Sequence, residues 1–431
     1  MSTISPSAAP RRSPKVLSAL AIGLGVLTGC GSSSTPSQSG TAQTSQASAC
    51  AWPIEDNYLT NNKGLLDSAA WIWAQPFAIH VGTQLVVSGR YPDARYASFS
   101  VYSSSETAFT SNGVGSSLAD YQIAPDSGSV NPWRRSALPG GRFSLTLRAQ
   151  VSPGQANVMP LAPEGNTSGV GYLEYRVYLP ASGDASQIPL PEITLHQGGS
   201  SSKLLACISH TMAIPPPNAG SATARPATPA AKGTSRPALL QFVRAAFNTY
   251  FPNPDTAYLL AAMTPPAPSD VIVVTAKAPT FPAGAHPSVW PSADDEVRYW
   301  SMCVNLGVGT SPVVVNHLPN GQTDVGCRAD EATSLSANGY YTYVIGTEAQ
   351  RSSVEHIAGV TFLPLSLTQP APFYYLALRY TLANPTFAAA PQNIAQADSA
   401  VAAAAVMGPF YPHAEVCPLS ILTTRGMSAC G

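Results

Sequence analysis

The chain has 431 residues, of which 10% are charged, with 41 prolines, 33 glycines, 18 tyrosines and a formal net charge of −1. Ordinary globular proteins carry about 25% charged residues; few charges with many turn formers suit a β-rich, loop-rich extracytoplasmic protein better than a helical cytosolic enzyme. Setting residues 1–29 aside leaves 19 Lys+Arg against 23 acids, a balance of −4, which excludes nucleic-acid binding through a concentrated basic face.

The chain opens with Arg11, Arg12 and Lys15, followed by an apolar run from Val16 to Leu27. A basic start, a short apolar core and small residues at a cut describe an export signal over 1–29. The run ends in Leu27-Thr28-Gly29-Cys30, which resembles the lipobox of bacterial lipoproteins. That resemblance implies that Cys30 is acylated and becomes the first residue of the mature chain, with the outer membrane as its place if the host has one. After residue 29 no run approaches the ~18 apolar residues that a spanning helix needs. Residues 30–49, beyond the Cys, are Ser, Thr, Gln, Gly and Ala with a single Pro, without apolar period, and predict a flexible tether with a reach on the order of 25 Å.

A first β module is expected over 50–210. Leu85-Val86-Val87-Ser88-Gly89-Arg90, Arg95-Tyr96-Ala97-Ser98-Phe99-Ser100-Val101-Tyr102, Arg142 to Leu147 and Tyr172 to Tyr178 read as strands, with Gly and Pro between them. Residues 211–236 are rich in Pro, Ala, Ser and Thr and read as a linker. A second β module is expected over 237–415. It starts with a predicted helix, because Leu239, Leu240, Val243, Ala246, Phe247 and Tyr250 fall at helical spacing. Strands follow at 271–274, 298–305, 340–345, 360–362 and 374–380, then an Ala-rich helix over about 391–406. The fold class expected is mainly β: two tandem homologous modules, sandwich-like or jelly-roll-like.

The evidence for tandem modules is a set of correspondences. Arg95 matches Arg298 and Arg176 matches Arg379, both 203 residues on; Phe143 matches Tyr341 at 198, Leu85 matches Ile272 at 187, and Asn57-Tyr58-Leu59 matches Ala257-Tyr258-Leu259 at 200.

Apart from Cys30, six cysteines remain, and six allow 15 pairings. Position favours the nested set Cys50–Cys207, Cys303–Cys327 and Cys417–Cys430, the last closing a C-terminal loop over 416–431. No C-x-x-C occurs.

Alternation in the repeated phrase sends Arg298, Trp300, Met302 and Val304 to one face and Tyr299, Ser301, Cys303 and Asn305 to the other. The first copy divides in the same way. The plain expectation is a core face, a solvated Tyr/Ser face and an Arg paired at the sheet edge. The functional alternative makes Tyr96, Ser98, Tyr299 and Ser301 a binding surface, with Arg95 or Arg298 holding an anion, for a small-molecule or glycan ligand. Candidate acid–base groups are Asp255, Tyr258, Arg298, Tyr299 and His356. Asp294-Asp295-Glu296 reads as a solvated turn. The seven histidines show no metal spacing, and no G-x-S-x-G, P-loop or dinucleotide fingerprint occurs, so no metal and no cofactor is expected.

Asn253-Pro254-Asp255-Thr256-Ala257-Tyr258-Leu259, Arg298-Tyr299-Trp300-Ser301 and Met407-Gly408-Pro409-Phe410-Tyr411-Pro412 resemble a group of uncharacterised secreted bacterial proteins built of paired β modules. The resemblance covers 237–415 better than the first half and implies a fold but no reaction. The functional expectation is a membrane-anchored envelope protein that binds or supports, the alternative an extracytoplasmic cofactor-free enzyme of the hydrolase kind.

Overall fold

A computed structural model describes residues 50–210, 239–246, 251–396 and 398–430. The leader, the tether with Cys30 and the linker lie outside these. The described residues fall in one compact unit.

The first half builds ten principal strands: β1 (Ile54–Asp56), β2 (Ala70–Ile79), β3 (Gln84–Arg90), β4 (Ala94–Tyr102), β5 (Ser117–Ala119), β6 (Arg142–Arg148), β7 (Val158–Pro160), β8 (Gly169–Pro180), β9 (Glu192–Gln197) and β10 (Ser200–Lys203). They form two sheets, ordered β1-β2-β8-β4-β5 and β7-β6-β3-β9-β10. The second half adds β11 (Val243–Arg244), β12 (Thr256–Met263), β13 (Asp270–Lys277), β14 (Val297–Leu306), β15 (Cys327–Ala329), β16 (Tyr340–Gly346), β17 (Val360–Pro364), β18 (Tyr374–Ala383) and β19 (His413–Pro418). These are ordered β11-β12-β18-β14-β15 and β17-β16-β13-β19. Strand for strand the orders match, down to the parallel pairs β6–β7 and β16–β17. Of these principal strands, the hairpin strand β10 alone has no counterpart among the described residues.

Register carries the match to single residues. Val87 faces Leu145 across β3–β6, and Val274 faces Tyr343 across β13–β16, keeping the offsets of 187 and 198. One correspondence fails. Tyr258 lies inside β12, whose counterpart is β2, whereas Tyr58 lies in the turn after β1. The main-chain bonds Leu179 N–H to Ala69 O (3.0 Å) and Leu382 N–H to Asp255 O (2.9 Å) give the true offset there, 186.

Each half closes its own core between its two sheets. Trp73, Leu85, Val87, Phe99, Leu145 and Tyr175 meet in the first; Leu259, Val274, Trp300, Met302, Tyr343 and Leu378 in the second. The apolar face of the repeated phrase goes where alternation sends it. The outer face of the second half's outer sheet is covered too: Val271, Val273, Val344 and Phe362 pack with Val354 at the end of α1 (Glu348–Val354) and Leu422 of α3 (Leu419–Arg425).

Two elements differ from expectation. The stretch 239–246 is not a helix: Leu239 bridges to Ala262, and β11 pairs with β12 as an edge strand. Val243 is β-branched and Phe242 aromatic, so both suit the pleated surface, and the unpaired edge of β12 decides the outcome over helical period. Phe247 and Tyr250 lie outside the described residues. The Ala-rich helix is confined to α2 (Ala400–Met407), capped by Ser399 accepting from Ala402 N–H (3.1 Å), while 391–393 forms only a 3-10 turn. Cys417, which closes the C-terminal loop with Cys430, sits in β19 against β13. All three disulfides have the expected pairing: Cys50–Cys207, Cys303–Cys327 and Cys417–Cys430.

Candidate functional site

The Tyr/Ser faces of the two phrases look at each other. Tyr96 and Tyr178 cluster with Tyr299 and Ala329, and no solvated face exists there: Tyr96, Ser98, Tyr299 and Ser301 are each 0% exposed. The expected solvent layer is replaced by the other half. Nor does either Arg sit at a sheet edge, because Arg95 and Arg298 are fully buried in this seam.

The contacts across the seam are reciprocal. Arg95 Nη1 lies 3.3 Å from Asp330 Oδ2, and Arg298 Nη1 lies 3.3 Å from Asp120 Oδ1. Each aspartate follows the short strand beside its own phrase, β5 or β15, and opens a 3-10 turn. Asp120 accepts the N–H groups of Ala97 (2.8 Å) and Tyr121 (2.6 Å); Asp330 accepts those of Trp300 (3.1 Å) and Glu331 (2.7 Å). Each guanidinium also faces an aromatic ring, Arg95 that of Phe281 at 5.9 Å and Arg298 that of Trp290 at 5.0 Å. Burial raises both carboxyls despite the facing arginines, Asp120 to about 6 and Asp330 to about 7.

A second arginine pair repeats the exchange. Arg176 Nη2 donates to Phe251 O (2.7 Å) and Arg379 Nη2 to Leu65 O. Leu65 and Phe251 both have positive φ, 58° and 51°, and each donates its N–H to the other half, to Ser311 O (3.2 Å) and Glu106 O (3.1 Å). Arg176 pairs with Glu174 on its own strand, whose carboxyl burial lifts to about 7.

The seam departs from symmetry at three places. Ser100 and Ser117, opposite each other across β4–β5, share a hydroxyl contact of 2.9 Å where the second half has the Cys303–Cys327 disulfide. Glu174, beside Ser100, stands where the second half has Ala377 beside Cys303. Asn253 stands where the first half has Asp67.

The expected acid–base candidates are partly gathered here. Asp255 accepts from Tyr96 OH (2.8 Å), Tyr258 lies 5.7 Å from the Arg379 guanidinium, and Tyr299 donates to Asp67 (2.9 Å). Burial raises the Asp255 carboxyl and the Tyr258 and Tyr299 phenols. His356 stands apart, exposed just after α1 with Nδ1 3.1 Å from Ser352 O of that helix. Asp294 is exposed and Glu296 half-buried, and both brace a loop: Asp294 O accepts from Thr280 Oγ1 (3.0 Å) and Glu296 Oε2 from Thr280 N–H (2.9 Å). Asp67, Cys303 and Cys327 lie within metal-ligand distance of one another, but the two sulfurs are joined to each other.

Sequence reading missed Asp67, Asp120, Glu174 and Asp330. A signal for two of them was present. The dipeptide Ala119-Asp120 recurs as Ala329-Asp330, 25 and 32 residues after the two phrase arginines.

No protein-family model matches the chain, and no curated protein does. Among solved structures it is similar to an uncharacterized protein from Burkholderia cenocepacia, at 14% identity and a TM-score of 0.45, over 84% of this chain and 79% of that one. It is also similar to the VPA0106 protein from Vibrio parahaemolyticus, at 12% identity and a TM-score of 0.42, over 83% and 92%.

Proposed function

We propose that this is an extracytoplasmic lipoprotein of the cell envelope, held to the membrane through Cys30, that acts as a rigid binding or structural body rather than as an enzyme. The observation that carries the non-catalytic reading is the reciprocal seam. Of the five acid–base candidates, Tyr258, Arg298 and Tyr299 are buried in it, Asp255 is bonded across it, and His356 is remote. A catalytic constellation needs several titratable groups converging on a place a substrate reaches; here the perturbed groups converge on the other half of the same chain. Three disulfides are compatible with an oxidising compartment, and no helix of the described residues is long and apolar enough to cross a membrane. The Leu27-Thr28-Gly29-Cys30 sequence supports the lipid anchor. A ligand on the Tyr/Ser faces is not part of this proposal, because those faces are covered.

The test is fractionation of cells expressing the wild type and Cys30→Ala. The wild type is expected with membranes and the variant in the soluble fraction. A variant that still sediments with membranes overturns the anchor.

A further inference from the structure

One exposed loop of the first half carries a sequence with a chemistry of its own. Asn166-Thr167-Ser168 is the single Asn-x-Ser/Thr of the chain in which x is not Pro; the other such triplet, Asn384-Pro385-Thr386, has Pro at x and a buried asparagine. Asparagine with a hydroxyl residue two positions on is the acceptor pattern for N-linked glycans, and its use requires a surface loop in an exported chain. Such triplets also arise by chance, so the structural setting has to carry the reading.

The loop joins β7 to β8, and residues 164–169 are all exposed. Its start is fixed, because Leu161 and Ala162 belong to the first core and Leu161 N–H donates to Arg148 O (3.0 Å). Asn166 N–H donates to Pro163 O (3.0 Å) and closes a turn in which Gly165 takes a φ of 76°, open to glycine without strain. Ser168 N–H then donates to Asn166 Oδ1 (3.2 Å), an Asx-turn. That bond folds the third residue of the triplet back onto the asparagine side chain and engages its oxygen. Asn166 Nδ2 has no hydrogen-bond partner among the described residues. The triplet lies outside the strands and the first core, so a bulky substituent there displaces no packed side chain. Two residues before Asn166 stands Glu164, also exposed, whose carboxylate gives a basic subsite of a transferase a charged handle.

We infer that Asn166 is the acceptor of an N-linked oligosaccharide, delivered from a polyprenyl diphosphate donor by an envelope oligosaccharyltransferase. In the transfer, Asn166 Nδ2 attacks the anomeric carbon of the first sugar. The C–N bond forms as the C–O bond to phosphate breaks, the diphosphate leaves with that electron pair, and the amide gives up one N–H proton to a base of the transferase. This inference rests on the export part of the proposed function, since the acceptor has to meet the transferase outside the cytoplasm.

The test purifies the full chain, wild type and variants, from envelopes of its natural host and weighs the peptide that holds residue 166 by mass spectrometry. The wild-type peptide is expected to exceed its amino-acid mass by that of an oligosaccharide and to release sugar fragment ions. Ser168→Thr, which keeps the hydroxyl, is expected to retain the added mass; Asn166→Gln and Ser168→Ala are expected to lose it. A bare Asn166 in the wild type overturns the inference, as does added mass that persists in Asn166→Gln. The outcome is separable from that of the anchor: a bare Asn166 in a chain lipidated at Cys30 sinks the glycan alone, and a glycan on a chain whose Cys30→Ala form still sediments with membranes sinks the anchor alone.

Discussion

Arg95 and Arg298 each point a guanidinium nitrogen at the other's main-chain carbonyl, Arg298 Nη1 at 3.0 Å from Arg95 O and Arg95 Nη1 at 3.4 Å from Arg298 O. They lie 203 residues apart, at matching positions of the repeated phrase. Each therefore uses the other's strand as an acceptor and the aspartate beside it as a counter-ion. The phrase marks the seam that joins the two halves.

Breaking one side of this exchange leaves a buried charge without its partner. Arg298→Ala strands Asp120, and Arg95→Ala strands Asp330. Each is expected to cost about 3–5 kcal/mol, the range for removing one member of a buried ion pair. Arg298→Lys is expected to recover part of this, since one nitrogen, Nη1, makes both the carboxylate and the carbonyl contact and an ammonium can donate to both. Urea unfolding measures this; a loss below about 1 kcal/mol, as for an exposed pair, would remove the seam from the account of stability.

The two halves are expected to unfold together. Their contact is core-like, with buried tyrosines, four buried arginines and main-chain bonds in both directions. Interfaces between independent domains are more polar and yield first. Scanning calorimetry should give one transition whose calorimetric and van't Hoff enthalpies agree. Two resolved transitions would mean that the seam opens before either core.

The seam carboxyls also set a pH dependence. Asp120 is pushed to about 6 and Asp330 and Glu174 to about 7, in each case chiefly by burial. In the unfolded chain these groups titrate near 4. Between about pH 4 and pH 7 the folded protein thus holds protons that the unfolded chain has released, so this stability is complete below pH ~4 and is lost as pH rises through 6–7. Tm at pH 5 should exceed Tm at pH 8, and Asp120→Asn should flatten the difference. A Tm that rises over this interval contradicts the assignment.

The serine pair opposite the disulfide allows a constructive test. Ser100 and Ser117 hold the register positions of Cys303 and Cys327. Ser100→Cys/Ser117→Cys is expected to form a fourth disulfide, detected as a linked peptide in a non-reduced digest. The chain-entropy model gives about 3 kcal/mol for a loop of this length. Two free thiols in the folded double variant would show that the halves differ there in more than side chains.

Much of this was legible in the residues. Strands over 85–90, 142–147 and 374–380 follow from alternation and β-branched or aromatic content, and the split of Arg95–Tyr102 and Arg298–Asn305 into two faces follows from the period of two. The apolar faces needed no further information, because Trp300, Met302 and Val304 have no stable place except a core. The helix expected over 239–250 shows the limit in the opposite direction. Its apolar spacing suited a helix, but an open edge on β12 was available, and pairing there satisfied main-chain groups and buried Phe242 at once.

What lies over a polar face is another matter. Tyr, Ser and Arg are equally at home in water, around a ligand or against a matching surface, and a strand's own sequence does not distinguish these. Only the folded chain, by bringing positions about 200 apart into register, set Asp330 beside Arg95 and Asp120 beside Arg298. Composition and periodicity determined the strands, the cores and the cysteine pairs, since those depend on local geometry and on burying apolar area. The tertiary structure decided that the Tyr/Ser faces meet, that their arginines are exchanged, and that Asn253 takes the Tyr96 hydroxyl as Asp67 takes that of Tyr299. Those outcomes depend on partners far away in sequence, and a buried polar group takes its meaning from its partner.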